Sequence, residues 1–331
     1  MAENYTKILN DLRQFSKNEL VAIFQRALNN VETSAETQSE KYACPKCSGK
    51  EVIRYGKKRG KQRYFCKSCH ATFLPTTNTI MSMSHFGKEI WQEVFLDTIA
   101  GNSLSYSENR LCLSHQVVFN MRHKILIALQ DISVEKPEKL GDVSELDETY
   151  VLDCYKGAKL PDNIDRNPRK HGAVAQKRGI SNEYICLCTG VQRKSAAFVH
   201  AVNRARPSIE ELTSVFSGHI LDGAMLLTDG LKGYDSLEMI ADCVVKNVED
   251  EKASFYNLNT VNNLHSFIKR RYEFYRGVAT KYINRYSALF SVAYRKNDKV
   301  ISDIMDHLFK VGNTSYTHTI KQVKAYRLLN I

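Results

Sequence analysis

The sequence predicts an α/β protein, a mixed β-sheet flanked by helices and preceded by two smaller elements. Three observations lead there. Cysteines recur as C-x2-C-x18-C-x2-C, in Cys44-Pro45-Lys46-Cys47 and Cys66-Lys67-Ser68-Cys69. A helical pattern then runs from Ser84 to Gln130. Beyond Pro137 the period changes, and short β-rich runs alternate with helical ones.

The bulk properties set bounds on this reading. With 331 residues the chain holds two or three domains, one of them with a sizeable core. A hydrophobic content of 43% and only six prolines favour globular structure over disorder. The formal net charge of +11 calls for a polyanionic partner. No apolar run approaches 18 residues and no basic amphipathic helix stands out, so no membrane is expected and a cytoplasmic location is. Cys112, Cys154, Cys186, Cys188 and Cys243 lie among apolar neighbours and read as small buried hydrophobes in a reducing compartment.

Residues 1–40 read as a helical segment and linker, with Leu9, Leu12, Phe15, Leu20, Ile23, Phe24 and Leu28 at helical spacing before a polar stretch. Residues 41–76 read as a zinc ribbon. Each CxxC pair grips one ion from a single turn, and the intervening residues suit a hairpin that brings the pairs together. Four thiolates at tetrahedral corners make a closed structural Zn²⁺ site, which replaces the core that so short a segment cannot build. A redox pair or unrelated core cysteines are the bland alternative. His70 reads as a surface histidine, since four cysteines already fill the shell. From Lys41 to Ala71 there are ten Lys or Arg and one acid, Glu51, which places +9 of the +11 here. Lys57, Lys58, Arg59 and Arg63, with interleaved Tyr55, Tyr64 and Phe65, read as a phosphate-binding surface.

Residues 84–132 read as a helix-turn-helix. Lys88 to Ala100 is a helix ended by Gly101-Asn102, Ser103 to Leu111 is a second, and Ser114 caps a third from His115 to Leu129. The third presents His115, Gln116, Asn120, Arg122, His123 and Lys124, of which His115, Gln116 and Arg122 are candidate DNA contacts. Plain three-helix packing without DNA contact is the alternative.

Residues 140–296 carry the larger unit. Strands are expected over Ser144 to Cys154, Glu183 to Gln192 and Lys194 to Val202, the last two as a hairpin at Arg193. A helix follows Pro207 to Phe216. A buried strand from Ala224 to Thr228, a helix from Leu231, a strand from Cys243 to Val248 and a long helix from Val261 to about Tyr275 complete it. Three strands, helix, strand, helix, strand, helix is the order of a ribonuclease-H-like fold. Between Gly157 and Gly179 lies a loop with Lys159, Arg166, Arg169, Lys170, Lys177 and Arg178. Residues 297–331 read as a helical, basic tail without an interpretable motif.

Asp147 lies in the first of these strands and Asp229 at the C-terminal end of the fourth. In this fold the two strands are neighbours, so both carboxylates face one crevice. Gly230 frees the backbone for the exit that follows. Paired hard oxygen ligands suit Mg²⁺ or Mn²⁺, which can hold the attacking and leaving oxygens of an in-line displacement at phosphorus. The third ligand is expected from the long helix, where His265 is the candidate and Asn262 or Asn263 the alternative. Glu145 or Glu148 is the alternative to Asp147, and Asp229 as a simple helix cap is the bland reading.

These motifs resemble insertion-sequence transposases of bacteria, in the branch that pairs an N-terminal zinc ribbon with a DDE-type catalytic domain and often replaces the last acid with Asn or His. The resemblance rests on the CPKC and CKSC pairs, LDETYV around Asp147, LLTDGLKGY around Asp229, VNNLHSFIK around His265 and RGVATKYINRY at Arg276 to Tyr286, and covers roughly residues 40 to 296. It implies a metal triad of Asp147, Asp229 and His265, with Lys269 one turn further on holding the DNA end. It further implies binding of terminal inverted repeats, strand cleavage at each end, attack of the freed 3′-hydroxyl on target DNA, and a homodimer or larger assembly acting on the nucleoid. Imidazole in place of an acid would shift affinity toward Mn²⁺. Lys269, Arg270 and Arg271, followed by Arg276, Lys281, Arg285, Arg295 and Lys296, would mark a path for DNA. The rivals are a catalytically inactive transposase serving as a DNA-binding regulator, and a simple metal nuclease.

Overall fold

The computed structural model describes residues 42–329 apart from 59, 163, 165, 170–173, 194, 249–254, 296 and 311–319. The expected N-terminal helical segment over residues 1–40, and Arg59, Lys170 and Lys296, lie outside the described residues.

A small three-stranded antiparallel sheet comes first, in the order β1 (Val52–Lys58), β2 (Lys61–Cys66) and β3 (Thr72–Phe73). Its core is small, built from Cys44, Cys66 and Phe73 with Tyr42, Val52 and Tyr64 packed around them. So little apolar surface cannot hold a sheet by itself.

Three helices follow, α1 (Lys88–Ala100), α2 (Leu104–Leu111) and α3 (His115–Glu135). Ser114 caps α3 by accepting from the Val117 amide, as the sequence predicts, and Ser103, expected as the first residue of α2, caps it by accepting from the Tyr106 amide. Cys112 takes a left-handed conformation (φ 53°) at the turn between them. α3 runs on to Glu135, past the expected end at Leu129, and is buried without a break from Ile125 to Asp131.

The larger sheet has five strands in the order β6-β5-β4-β7-β8. These are β4 (Val143–Leu152), β5 (Tyr184–Gln192), β6 (Ala197–Arg204), β7 (Met225–Thr228) and β8 (Val244–Asn247). β4, β5 and β6 pair antiparallel, whereas β7 runs parallel to both β4 and β8. The expected adjacency of the first and fourth strands is present. β5 is buried from Ile185 to Val191, which fits the centre of a two-sided core.

One face of the sheet is covered by α4 (Ile209–Phe216) and a 3-10 helix over Lys232–Met239, packed on Leu146, Cys186, Cys188 and Leu226. A helix was expected from Leu231; its 3-10 form brings Gly233 against Leu212, where a Cβ would stand 2.7 Å from Cδ1. The other face is covered by α5 (Asn259–Phe274) and α6 (Ile283–Arg295). α7 (Asp298–Phe309) and the short α8 (Ile320–Ala325) give the tail its expected helical character.

The core on this face does not stop at the sheet. Trp91, Val94 and Phe95 of α1 and Val118, Ile125 and Leu126 of α3 belong to the same apolar cluster as Leu187 of β5, Leu264 of α5 and Leu289 of α6. The three-helix element and the sheet therefore share a core. Among the described residues no helix is long and apolar enough to cross a membrane.

Candidate active site

The site is built on β4. Alternation along this strand sends Glu145, Asp147 and Thr149 toward α5, while Leu146 and Glu148 face the opposite layer. Glu145 is fully buried and accepts from the amides of Thr260 (2.7 Å) and Val261 (2.9 Å), from the Thr260 hydroxyl (2.8 Å) and from Arg193 Nε (2.7 Å). A carboxylate on the orphan amides of a helix N-terminus is favoured by hydrogen bonding and by the helix dipole. Glu145 thus pins the start of α5 to β4. With its oxygens engaged in this way, it is a structural anchor.

About one turn further along α5, His265 is buried against β4 and β5. Its Nδ1 stands 3.7 Å from Asp147 Oδ2, and its Nε2 is 2.8 Å from the hydroxyl of Thr189 on β5. Thr189 is the register partner of Asp147 and its hydroxyl also donates to the Asp147 carbonyl at 2.7 Å. Burial and then the Lys269 charge lower the His265 imidazole to about 4, so it is neutral at pH 7. Burial raises Asp147 to about 6; the Glu148 amide pulls it down, while Asp229 adds to the rise and Lys269 opposes it. Burial also raises Glu148, to about 7, with the nearby charges of Asp147 and Asp229 contributing.

Asp229 follows the last residue of β7. Glu145 pairs with Leu227, and continuing that parallel register by two residues sets Asp229 level with Asp147. Its carboxylate is exposed and Oδ1 accepts from the Leu231 amide at 3.2 Å. Gly230 (φ 85°) makes the turn away, and a Cβ there would meet the Asn247 side chain at 2.6 Å. The Asp229 carboxylate does not close with Asp147 and His265 into a tight ligand cluster: among the described residues, that arrangement is found at the four cysteines. Asn263 accepts from the Tyr294 hydroxyl (3.2 Å) on α6, and Asn262 is exposed. Of the three side chains considered for the third position, His265 is the one set against Asp147.

The donor chemistry at this point suits a cation. A neutral imidazole and a carboxylate, 3.7 Å apart without a hydrogen bond between them, can both be reached from one ion at metal–ligand distances of about 2.1 Å. Lys269 is exposed one turn after His265, close enough for its charge to act on both His265 and Asp147.

In the small sheet, the sulfurs of Cys44, Cys47, Cys66 and Cys69 all lie within 4.8 Å of one another, with Cys44 and Cys69 at 3.5 Å and Cys47 and Cys66 at 3.6 Å. Such a cluster could hold a metal ion tetrahedrally. The backbone amides of Cys69 and Ser68 lower the Cys66 thiol to about 6, toward the thiolate a metal needs.

The expected DNA-contact residues divide. Lys57 and Lys58 are exposed on β1, and Arg63 lies over the Tyr55 ring (4.8 Å) while donating to the Tyr55 carbonyl. His115 and Gln116 are exposed at the start of α3, His115 near Glu108 (3.2 Å) and Gln116 on Asn120. Arg122 is corrected: it is 2% exposed, beneath the α3 surface that was expected to present it. His123 is likewise buried, on Arg285, and Lys124 donates to the Ser82 carbonyl. Lys269 and Arg270 are exposed on α5, but Arg271 donates to the Ala100 carbonyl (2.6 Å) and stacks on Phe267. Gly101 leaves the room for it, since a Cβ there would collide with the Arg271 guanidinium. Arg285 and Arg295 are also engaged, on the Val323 and Tyr326 carbonyls and on Glu138. In the basic loop, Arg166 and Arg169 converge with Arg204 on the buried Asp153.

The residues that carry this geometry coincide with a family match. Residues 139–297 match the ISXO2-like transposase domain. The match spans β4 to the end of α6, and with it Asp147, Asp229 and His265. A protein of the transposable element ISH50 from Halobacterium salinarum is 25% identical over 264 residues, which cover 77% of this chain and 87% of that protein. The resemblance to insertion-sequence transposases therefore holds. Among solved structures, the Mos1 strand transfer complex is similar at 13% identity over 68% of this chain and 75% of that chain, with a TM-score of 0.27. The Mos1 mariner paired end complex with Mn is similar at 11% identity over 68% and 76%, with a TM-score of 0.26. At such scores the fold of the matched region is read from its own strand order.

Sequence reasoning did not find Thr189, Glu145 as a helix anchor, or Arg193. A signal for Thr189 was present: a single hydroxyl in the apolar run Ile185 to Val191 must have a buried partner.

Proposed function

We propose that the protein moves an insertion sequence by DDE-type DNA transposition, with Asp147, Asp229 and His265 as the metal-binding triad of a ribonuclease-H-like domain. The observation that carries this is the placement of His265 Nδ1 3.7 Å from Asp147 Oδ2, with Asp229 directly after the last residue of the neighbouring parallel strand β7. The order β6-β5-β4-β7-β8, with β5 reversed, supports the fold assignment. Mg²⁺ or Mn²⁺ held there would supply Lewis-acid stabilisation and an activated water or hydroxyl for attack at phosphorus.

The chain's own residues then have separate tasks. Asp147 and Asp229 supply negative charge at the crevice, and His265 adds a neutral donor, which favours Mn²⁺ more than a third carboxylate would. Lys269 and Arg270 hold the phosphates of the element end beside the triad. The cysteine cluster holds Zn²⁺ and so supports the basic surface of Lys57, Lys58 and Arg63, which sits on DNA with the exposed start of α3 at His115 and Gln116. Element ends are cleaved to leave 3′-hydroxyls, and these attack target phosphodiesters without a covalent protein intermediate. Because two ends must be joined together, a dimer or larger assembly acts on DNA.

A strand-transfer assay on labelled terminal-repeat DNA, in Mg²⁺ and in Mn²⁺, tests this. The parent protein should yield joined products, and Asp229→Asn should bind the ends without cleaving them. Binding without cleavage by the parent in both metals would replace the transposase reading with that of a DNA-binding regulator. Cleavage without joining would reduce it to a nuclease.

A further inference from the structure

The Thr189 hydroxyl has one proton and two neighbours, the Asp147 carbonyl at 2.7 Å and His265 Nε2 at 2.8 Å. A carbonyl oxygen can only accept, so the proton goes to Asp147 O. The threonine oxygen is then left as an acceptor, and Nε2 must carry the hydrogen that it accepts. The opposite assignment would press the hydroxyl oxygen against the carbonyl oxygen at 2.7 Å with no proton between them. A neutral imidazole protonated at Nε2 has its lone pair on Nδ1, the nitrogen that faces Asp147 Oδ2.

We propose that Thr189 is a positioning residue which fixes His265 as the Nε2–H tautomer and so keeps the Nδ1 lone pair turned toward Asp147 for a divalent cation. This rests on the reading of Asp147, Asp229 and His265 as the metal site. The consequence reaches beyond orientation. Without the hydroxyl, the imidazole would place its proton on Nδ1 and donate to the Asp147 carboxylate, closing the 3.7 Å gap with an internal hydrogen bond. Such a bond would occupy both donors that the ion needs. Thr189 therefore prevents the site from satisfying itself, by a hydrogen bond made on the far side of the ring. Strand pairing holds it there: Thr189 and Asp147 face each other across β4 and β5, and Glu145 locks the helix that carries His265 to the same strand.

The test is made on the full chain with its ribbon zinc retained. ¹⁵N-histidine NMR without added Mg²⁺ or Mn²⁺ should show His265 as Nε2–H in the parent and in Thr189→Ser. In Thr189→Val the resonance should move to Nδ1–H or to a mixture of tautomers, with the buried His123 unchanged as a control for folding. Mn²⁺ binding followed by electron paramagnetic resonance should weaken by about 10- to 100-fold in Thr189→Val, and by less than about 3-fold in Thr189→Ser. Nδ1–H in the parent would overturn the proposal even if the triad binds Mn²⁺. Nε2–H in the parent, with Mn²⁺ binding unaffected by both Thr189→Val and His265→Ala, would instead overturn His265 as a ligand and with it the role given to Thr189.

Discussion

The carboxylate of Glu145 on β4 accepts the backbone amide of Val261 at 2.9 Å, and through it the first turn of α5 is bound to the strand that carries Asp147. The Thr260 amide and hydroxyl and Arg193 complete its partners. Since a fully buried charge is stable only while paired, Glu145→Ala should leave Arg193 and the helix amides exposed to an apolar gap. A loss of about 3–5 kcal/mol is expected in urea unfolding. Glu145→Gln keeps one acceptor and should cost about 1–3 kcal/mol. Equal losses in the two variants would show that volume, and not hydrogen bonding, is what Glu145 supplies.

His265, set against Asp147, should be indispensable where its asparagine neighbours are not. Removing a residue that merely supports a ligand costs about 10- to 100-fold, so His265→Ala should lose at least about 100-fold in end cleavage. Asn262→Ala and Asn263→Ala should stay within about 5-fold of the parent, because Asn262 is exposed and Asn263 is turned to Tyr294. Rates of cleavage in Mn²⁺ decide it, and loss of activity in Asn262→Ala alone would move the third ligand to that residue.

Much of this arrangement is legible in residue order, for reasons that differ by element. Ser114 stands directly before helical periodicity, and it caps the helix it precedes. The β-rich runs of β5 and β6 announce strands, and their pairing follows from the tight turn at Arg193. Asp147 lies in β4 and Asp229 directly follows the parallel neighbour β7, an adjacency that strand order alone predicts. What was not legible depends on contacts distant in sequence. Arg122 and His123 look like an exposed polar face of α3 until Arg285, 162 residues beyond His123, packs onto it. Arg271 looks free until the α1 C-terminus arrives beneath it. Thr189 has no motif around it, and its role exists only because β5 brings it between Asp147 and α5.

His123 gives the fold a defined response to acid. Burial, and then the charges of Arg285 and Arg122, lower its imidazole from the usual 6.5 to about 3. Between those values the unfolded chain binds a proton at this site and the folded chain does not, so stability rises with pH. Put the other way, the parent should lose stability as pH falls through 6.5 toward 3, by at most about 1.4 kcal/mol per pH unit from this residue. His123→Gln retains an acceptor for Arg285 but cannot titrate. Urea midpoints at pH 7 and pH 5 should therefore differ less for the variant than for the parent, and an unchanged difference would assign the acid response to other groups.

Zinc removal should act locally. The small sheet has only Cys44, Cys66 and Phe73 at its buried centre, whereas the five-stranded sheet has its own core on both faces. A strong chelator should release one Zn²⁺ per chain and make the four thiols of the ribbon reactive. The cooperative thermal transition of the larger unit should persist within a few degrees. Cys66→Ser should reproduce that state without chelator. Loss of the main transition on chelation would mean that the ribbon is part of the principal fold.

Salt dependence separates the cations that meet DNA from those that hold the protein together. Each phosphate contact removed should lower the slope of log K against log salt concentration by about 0.9. Lys269→Ala and Arg270→Ala, on the exposed part of α5, should each show that change and leave thermal stability almost untouched. Arg271→Ala removes the cation that stacks on Phe267 and bonds the Ala100 carbonyl, and Arg122→Ala opens a cavity beneath α3. Both should unfold more readily, by about 1 kcal/mol or more, with the salt slope of the remaining folded protein unchanged. A lowered slope in Arg271→Ala at full stability would mean that its guanidinium leaves α1 when DNA binds.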